Sequence, residues 1–478
     1  MERRAWLAVL AVTVGLSASC GSRTGLLLPG QGGSGSGSGG SGGGGGTPLS
    51  VRCSAALLAG APTPMQGYCP TRANQAPGNA PQAPRIAWAV TPFPIDVPES
   101  FLPAEIVVDP AGRAYALIDA SPMNPTGMPN QVFGIDPDGT VGWATSLSGP
   151  AADLTLGSDG KLWLVGSAPA GANGPICPSP DGGSEVCVAS LTALSTATGA
   201  SLDLLNVIVQ QEPYAINSDY GAMTLASDGS FLLETVTAPY TGQGGVARVS
   251  TTGTVEWQWP AFGGPGLDVV PPLVVGPNDD VVGTDGINVV LIGASGNQIW
   301  QVDVDAQVAA VGPQGNVVAL STDTTSLLTL DGNGNTLQTI PLAATIGMTD
   351  AALLAVAGDG TMVVLLANEA SSPGITKAEV QVLAVDASGT TRWTTTLDVS
   401  LPYDPAALAT HYGLFIDGAG TVVVTAGAVF GLDLATGSTL WTLQPPNPKA
   451  CLRPAVLGAG GAILASQCDG TVFLARDP

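Results

Sequence analysis

The feature that most constrains the fold of this chain is a recurrent Gly-x-x-x-Trp motif between residues 85 and 478. Five copies end in tryptophan: Gly139 to Trp143, Gly253 to Trp257, Gly296 to Trp300, Gly389 to Trp393 and Gly437 to Trp441. Two more copies, Gly199 to Asp203 and Gly334 to Gln338, have the glycine at the same spacing but Asp or Gln in place of the tryptophan. Their average spacing of about 50 residues is typical of a four-stranded propeller blade.

A second marker precedes each motif in constant phase. It is a short turn between two apolar strands, centred on Gly112, Gly160, Gly229, Asn278-Asp279-Asp280, Gly315, Gly360, Gly420 and, for an eighth time, Gly460. The intervening runs are short, rich in Val, Leu and Ile, and show no helical periodicity. The sequence therefore predicts an all-β fold.

The two ends of the repeat region predict ring closure. After Gly460 the sequence supplies three strands of a blade, whereas Arg85 to Val90 has the character of an outermost strand and contains Trp88. We expect the N-terminal strand to complete the C-terminal blade, because closure removes the open sheet edges of a linear array. This gives a single propeller of eight four-stranded antiparallel blades, with seven blades as the alternative.

The tryptophans of the outermost strands are expected to be structural. Each can lay a large ring over the neighbouring blade, and the alternative is a stacking platform for a ligand. The candidates for this blade-docking role are Trp88, Trp143, Trp257, Trp300, Trp393 and Trp441.

Residues 1–19 have the composition of an export signal. Arg3 and Arg4 precede an apolar run that is shorter than the roughly 20 residues of a membrane-spanning helix. The residues before Cys20 resemble a bacterial lipobox, although Leu16 lies four rather than three positions before the cysteine. This resemblance implies acylation of Cys20. In lipoproteins of double-membrane bacteria an Asp after the acylated cysteine favours retention at the inner membrane, so Gly21 at that position implies the outer membrane. The alternative is a plain signal peptide.

Composition divides the remaining chain into three parts. Residues 20–46 are a lipid anchor followed by a Gly/Ser-rich linker, whose 17 residues from Gly30 to Gly46 span about 20–25 Å as a flexible coil. Residues 47–84 are an irregular segment that a disulfide is expected to staple, and residues 85–478 are the propeller.

Seven cysteines leave six once Cys20 is assigned to acylation. The six disulfide candidates fall into three close pairs along the sequence: Cys53 and Cys69, Cys177 and Cys187, and Cys451 and Cys468. An exported chain favours disulfides, but six cysteines permit about 15 pairings. No metal site is predicted, because there is no C-x-x-C spacing and only one histidine, His411.

The formal charge of −23 argues against nucleic acid and anionic lipid headgroups as partners, since both call for clustered Lys and Arg. Membrane attachment is therefore expected through the lipid anchor alone. The connections at residues 119–130, 167–189 and 368–378 are longer than in other blades, and long loops on a rigid ring are typical recognition surfaces. They are expected to bind a protein or a surface ligand.

The run from Asp433 to Trp441 resembles the D-x-x-T-G-x-x-x-W signature of PQQ-like β-propeller repeats, as does the run from Asp386 to Trp393. The enzymes of that superfamily imply a quinone cofactor, calcium, a catalytic Asp and often adjacent cysteines. This sequence has no adjacent cysteines, and no set of Asp or Glu residues matches the cofactor ligands of those enzymes position by position. It therefore predicts no catalytic residue, cofactor or metal.

The lipoprotein branch of the superfamily implies an interaction scaffold. We therefore predict a non-catalytic, membrane-anchored lipoprotein whose propeller is a binding or scaffold platform in the bacterial envelope, facing the periplasm or the cell surface. The first alternative is a component of outer-membrane β-barrel protein assembly. The second is a quinone-dependent dehydrogenase or a carbohydrate-active enzyme.

Overall fold

The computed structural model divides the chain into two units, Met1–Thr47 and Pro48–Pro478. All the residues that the structure describes belong to the second unit. They are residues 57–63, 65, 74–92, 101–120, 130–147, 151–167, 176–178, 184–186, 189–207, 223–237, 243–262, 274–276, 278–284, 288–344, 346, 351–372, 375–401 and 412–478.

The described chain is built from short antiparallel strands joined by tight turns. Turn glycines at the predicted positions adopt positive φ, for example +86° at Gly112 and +71° at Gly437, a conformation that a side chain would strain. In blade 4 the turn residue is Asp279, which tolerates φ +59°. Within the described residues the one helical element is a single 3-10 turn, Ala459–Gly461.

The first four blades follow one another along the chain. Blade 1 contains β2 (Phe101–Val108), β3 (Ala114–Ala120), β4 (Gln131–Ile135) and β5 (Val141–Ser146). Blade 2 contains β6 (Ala151–Leu156), β7 (Lys161–Ser167), β10 (Ala189–Ser195) and β11 (Ser201–Val207), with the separate hairpin β8 (Ile176–Pro178) and β9 (Ser184–Val186) between β7 and β10. Blade 3 contains β12 (Met223–Leu225), β13 (Phe231–Thr237), β14 (Gln243–Val249) and β15 (Val255–Phe262). Blade 4 contains β16 (Val274–Val275), β17 (Val281–Thr284), β18 (Asn288–Ile292) and β19 (Gln298–Asp303).

The last four blades include the one that closes the ring. Blade 5 contains β20 (Ala306–Val311), β21 (Val317–Ser321), β22 (Ser326–Leu330) and β23 (Thr336–Pro341). Blade 6 contains β24 (Ala351–Val356), β25 (Met362–Ser372), β26 (Ile375–Val385) and β27 (Thr391–Leu401). Blade 7 contains β28 (Gly413–Ile416), β29 (Thr421–Ala426), β30 (Ala428–Asp433) and β31 (Thr439–Leu443). Blade 8 contains β32 (Val456–Leu457), β33 (Ile463–Ser466), β34 (Val472–Arg476) and, as its outermost strand, β1 (Arg85–Val90).

Both central fold predictions are confirmed: there are eight blades rather than seven, and the N-terminal strand closes the ring. Strand β1 pairs antiparallel with β34, from Arg85 opposite Arg476 to Val90 opposite Val472. Eight clusters of buried apolar side chains lie between successive blades, and one of them joins blade 8 to blade 1 through Leu464, Val472 and Phe133.

The described residues between 57 and 84 form what we call the N-terminal strap, which packs on the inner strands of the ring. Its buried side chains are Leu57, Ala61, Met65, Ala76 and Ala80. Its hydrogen bonds reach blades 1, 2, 3, 6, 7 and 8, among them Val108 N to Thr63 O at 2.8 Å, Leu58 N to Leu156 O at 2.9 Å, Thr224 Oγ1 to Met65 Sδ at 3.4 Å, Asn74 Nδ2 to Leu354 O at 2.8 Å, Ala76 N to Ile416 O at 2.8 Å and Thr63 Oγ1 to Leu457 O at 2.6 Å. The strap therefore packs into the propeller core.

The predicted long connection at residues 368–378 is instead a paired hairpin. Strands β25 and β26 each extend to eleven residues and remain in register up to Ser372 opposite Ile375. Extended pairing satisfies the backbone polar groups that a loop would leave to solvent.

Candidate functional site

The turn between the third and fourth strands of a blade provides a seat for the ring of the preceding blade. We call this the ring seat: the positive-φ glycine of that turn together with the carbonyl of the turn's first central residue. At Gly437, with φ +71°, an added methyl group would lie 2.5 Å from Cδ2 of Trp393 in the preceding blade. The glycine therefore provides the space that the indole ring fills.

Five junctions between blades are built in this way. The ring-to-glycine contacts are Trp88 on Gly139, Trp143 on Gly199, Trp257 on Gly296, Trp300 on Gly334 and Trp393 on Gly437. The five indole N–H groups donate to the seat carbonyls of Pro137 (2.9 Å), Thr196 (3.1 Å), Ala294 (2.8 Å), Gly332 (3.0 Å) and Leu434 (2.7 Å). Each such junction thus combines apolar burial with a satisfied polar atom.

Trp441 differs because of the ring closure. In blade 8 the third and fourth strands, β34 and β1, come from opposite ends of the repeat region, so no turn connects them. The buried Nε1 of Trp441 has no acceptor among the described residues. Where a connecting turn would lie, the backbone N–H groups of Gln82 and Ala83, just before β1, donate to the carboxylate of Asp477, just after β34.

Gln338 replaces the ring at the junction of blades 5 and 6 and still fills the seat. Its Nε2 donates to Ser388 O at 2.7 Å, and a methyl group at Gly389 would collide with its amide. Ser388 is the second central residue of its turn, so Gln338 covers the seat glycine but donates to a different carbonyl from the one that the indoles use.

Asp203 replaces the ring at the junction of blades 2 and 3, and there the seat stays open. Its Oδ2 accepts a hydrogen bond from Lys161 Nζ at 2.7 Å within its own blade. A cleft of about 330 Å³ lies between the blades, lined by Asp203, Lys161, Trp163, Ser158, Asp159, Gly157, Leu205, Leu225, Asp228, Gly229, Phe231 and Thr251. Trp163 packs edge-on against Phe231 at 4.8 Å between ring centroids and forms the apolar floor.

The seat carbonyl of this junction belongs to Thr251, which is exposed. At two other junctions a guanidinium joins the indole on the same oxygen: Arg113 on Thr196 O and Arg248 on Ala294 O, each at 3.0 Å. Lys161 occupies the position that Arg113 has in blade 1, one residue after the first turn. Lys161 bonds to Asp203 instead. Among the described contacts, blade 2 therefore supplies neither an indole N–H nor a basic side chain to the carbonyl of Thr251.

The charges around the cleft are partly paired. The hydrogen bond from Lys161 to Asp203 raises the pKa of Lys161 above its ordinary value, and Asp159, 3.5 Å away, adds to this. Burial works to raise the pKa of Asp228, but hydrogen bonds from Ser230 and the charge of Arg248 hold it below the ordinary value. Asp203 and Asp159 face Lys161, the cation that lines the cleft, while Asp228 shares Arg248 with Glu256, so the charge of the cleft is weakly negative.

Most of the predicted disulfide and lipidation sites lie outside the described residues. Cys451 and Cys468 form a disulfide with their Cα atoms 5.2 Å apart. Cys177 falls in β8. Cys20, Cys53, Cys69 and Cys187, and the single histidine His411, are outside the described part, so acylation of Cys20 and the other two disulfides stay predictions.

Sequence reasoning missed Lys161, Trp163 and Thr251 as members of a common site. The usable signal was the departure at Asp203 from the repeat, because a position that holds a ring elsewhere marks an altered junction. Within the described residues no group of three or more His, Cys, Asp or Glu side chains is arranged to hold a metal ion. In the same residues no helix is long and apolar enough to cross a membrane.

Residues 350–477 match the family model PQQ_2, described as outer membrane protein assembly factor BamB. The predicted resemblance to PQQ-like repeats is thereby confirmed for blades 6 to 8. No curated protein matches the chain.

Solved structures of low sequence identity share the propeller architecture. BamB from Moraxella catarrhalis is 14% identical, with a TM-score of 0.46 over 83% of this chain and 100% of that one. Virginiamycin B lyase from Staphylococcus aureus is 13% identical, with a TM-score of 0.42 over 69% and 96%. The dihydro-heme d1 dehydrogenase NirN is 14% identical, with a TM-score of 0.43 over 80% and 74%.

Proposed function

We propose that this chain is a non-catalytic lipoprotein of the bacterial envelope whose propeller is a rigid platform for protein binding. The observation that carries the proposal is the open ring seat between blades 2 and 3. At the junctions closed by a ring or by Gln338 a side chain covers the seat glycine, whereas this one leaves a cleft with a backbone carbonyl and paired charges above an aromatic floor. Clefts of this size with few polar groups are typical binding sites.

Acylation at Cys20 supplies the membrane attachment in this proposal. A net charge of −23 repels anionic headgroups, so the folded domain has no electrostatic attraction of its own to such a surface. We expect Cys20→Ala to release the protein from the outer-membrane fraction and to abolish its labelling by an alkyne-tagged fatty acid. Retention of the variant in that fraction would contradict the anchor, and Ser22→Ala, which changes a residue near the cysteine but leaves the thiol, serves as the control.

A role in outer-membrane β-barrel protein assembly is the second candidate, and the family match over residues 350–477 favours it. Crosslinking in intact cells followed by purification of the full chain tests both candidates. Recovery of barrel assembly proteins supports the assembly role, recovery of other envelope proteins supports a separate scaffold, and isolation of the chain alone contradicts both. Dye-linked oxidation by the purified protein with added quinone and calcium would instead support an enzyme.

A further inference from the structure

The ring seats of the propeller define the shape and polarity of what fills them. At five junctions the occupant is an indole, which lies flat on a positive-φ glycine and donates its N–H to the seat carbonyl at 2.7–3.1 Å. The junction of blades 2 and 3 retains both parts of the seat. Gly253 has φ +83°, and Thr251 lies in the wall of the cleft.

The floor of this cleft also matches that of a junction filled by tryptophan. Asp203 lies opposite Ala193 on the neighbouring strand, just as Trp393 lies opposite Ala384. The residue opposite the missing ring is therefore as small as the one opposite Trp393, whereas Trp257 and Trp300 lie opposite the larger Arg248 and Leu291. The cleft has a volume of about 330 Å³, within the size range of ligand pockets, and Leu205 and Leu225 are among its lining residues.

The charges around the cleft suit the same occupant. Asp203 and Asp159 place carboxylate oxygens at the rim, 46% and 43% exposed. The edge of an indole, which carries the N–H, is electropositive, and its faces are suited to apolar and cationic neighbours such as Lys161. An acidic rim around an apolar floor therefore favours an N–H-bearing ring over an anionic ligand.

We infer that the cleft between blades 2 and 3 binds a tryptophan side chain of a partner protein, inserted into the ring seat in place of the tryptophan that blade 2 lacks. The indole stacks toward the glycine of the seat and donates to Thr251 O. Tryptophan is the residue most enriched among the energetic anchors of protein interfaces, because it buries a large area at small entropic cost. This inference rests on the proposed function and names the chemistry of its partner.

The first experiment uses indole as the probe and the purified full chain as the receptor. Methyl NMR should show saturable shifts at Leu205 and Leu225, which line the cleft, and none at Leu327 between blades 5 and 6. 1-Methylindole, which has the same shape but no N–H, should bind about threefold to tenfold more weakly, the equivalent of one neutral hydrogen bond. Absence of saturable shifts, or equal binding of both probes, would overturn the inference.

Two variants separate the ring seat from general effects on the fold. Asp203→Trp supplies the missing ring in cis and should weaken indole binding at least tenfold. Gln338→Trp introduces the same residue at a seat that is already filled and should leave binding unchanged. Undiminished indole binding by Asp203→Trp contradicts the inference, and methyl spectra of both variants verify that they fold.

A photo-crosslinking residue at Ser158 then tests the partner in cells, with Ser388 as the matched exposed position at the junction of blades 5 and 6. The inference requires a crosslink from Ser158 to a peptide that contains tryptophan, lost in Asp203→Trp and lost when that tryptophan becomes leucine. If a partner is recovered and its crosslink from Ser158 is unaffected by Asp203→Trp, the inference is overturned and the proposed function stands. Recovery of no partner contradicts the proposed function, while the indole titration separately decides the chemistry of the cleft.

Discussion

The junction between blades 6 and 7 and the junction between blades 2 and 3 have the same backbone plan and different contents. In the first, Trp393 is 8% exposed, covers Gly437 and donates to Leu434 O at 2.7 Å. In the second, Asp203 turns to Lys161, and the equivalent carbonyl of Thr251 faces a cleft. A different residue at one position of the repeat therefore replaces a structural contact with an accessible cleft, while the four strands of the blade are retained.

Removal of the ring should have the largest effect. Trp393→Ala leaves a cavity and removes the hydrogen-bond donor to Leu434 O. It should lower the free energy of unfolding by about 3–5 kcal/mol. Asp203→Ala removes an exposed ion pair and should change it by less than about 1 kcal/mol. Chemical denaturation of both variants measures the contrast. Losses of similar size would show that the filled seat adds no stability.

The two seat glycines should differ when each is given a side chain. Gly437→Ala places a methyl group 2.5 Å from the ring of Trp393 and 2.8 Å from Thr395 Oγ1, in addition to the strain at positive φ. We expect a loss of about 2–4 kcal/mol, of which overpacking contributes about 1–3. Gly253→Ala, at a seat with no ring over it, is expected to cost chiefly the strain of a side chain at φ +83°, about 1 kcal/mol. Thermal unfolding of the pair distinguishes the two contributions, and equal losses would remove the overpacking explanation.

Filling the open seat with a ring should increase stability, by less than removal of Trp393 decreases it. Asp203→Trp buries an indole above Ala193 and should raise the free energy of unfolding by about 1 kcal/mol, since cavity filling commonly gains 0.5–2 kcal/mol. Gln338→Trp should gain less, because its seat is already filled. A loss of stability in Asp203→Trp alone would show that the junction of blades 2 and 3 cannot close around a ring.

The smallest effect concerns the ion pair at the cleft. Asp203→Asn should lower the pKa of Lys161 toward its ordinary value, measured by NMR titration of the Lys161 side chain, because the hydrogen bond to Asp203 is what chiefly raises it. A raised folded-state pKa stabilises the fold below the unfolded-state pKa, and this contribution is lost as pH rises through the folded-state pKa. The stability difference between the native chain and the variant should therefore shrink at alkaline pH. Asp159→Asn, at 3.5 Å, should shift the pKa less.

Residue patterns were sufficient to predict the architecture because each blade repeats the same pattern of apolar strands and glycine turns. A glycine at positive φ fixes each tight turn, apolar runs define the strands, and the unpaired outer strand around Trp88 predicts closure. The length of a connection was a weaker guide, since residues that were expected to loop out near Ser372 pair with Ile375 instead. Backbone pairing between neighbouring strands decides that outcome, and periodicity alone does not encode it.

The candidate site was predictable only in part. The loss of a ring at Asp203 and at Gln338 is visible in the sequence as the same kind of departure from the motif. Only the structure shows that Gln338 reaches across to Ser388 while Asp203 bonds to Lys161 within its own blade. A short carboxylate cannot span the junction and has a cation beside it, whereas a longer amide spans it and carries the needed donor.

Residue patterns were enough to predict an all-β ring of eight blades, because turn conformation and strand patterning are local properties that recur in every blade. Tertiary structure alone decided that the strap near Met65 is part of the propeller core, and that one junction stays open. Both depend on contacts between residues far apart in the chain, where the direction of a side chain and the position of the next blade decide the result.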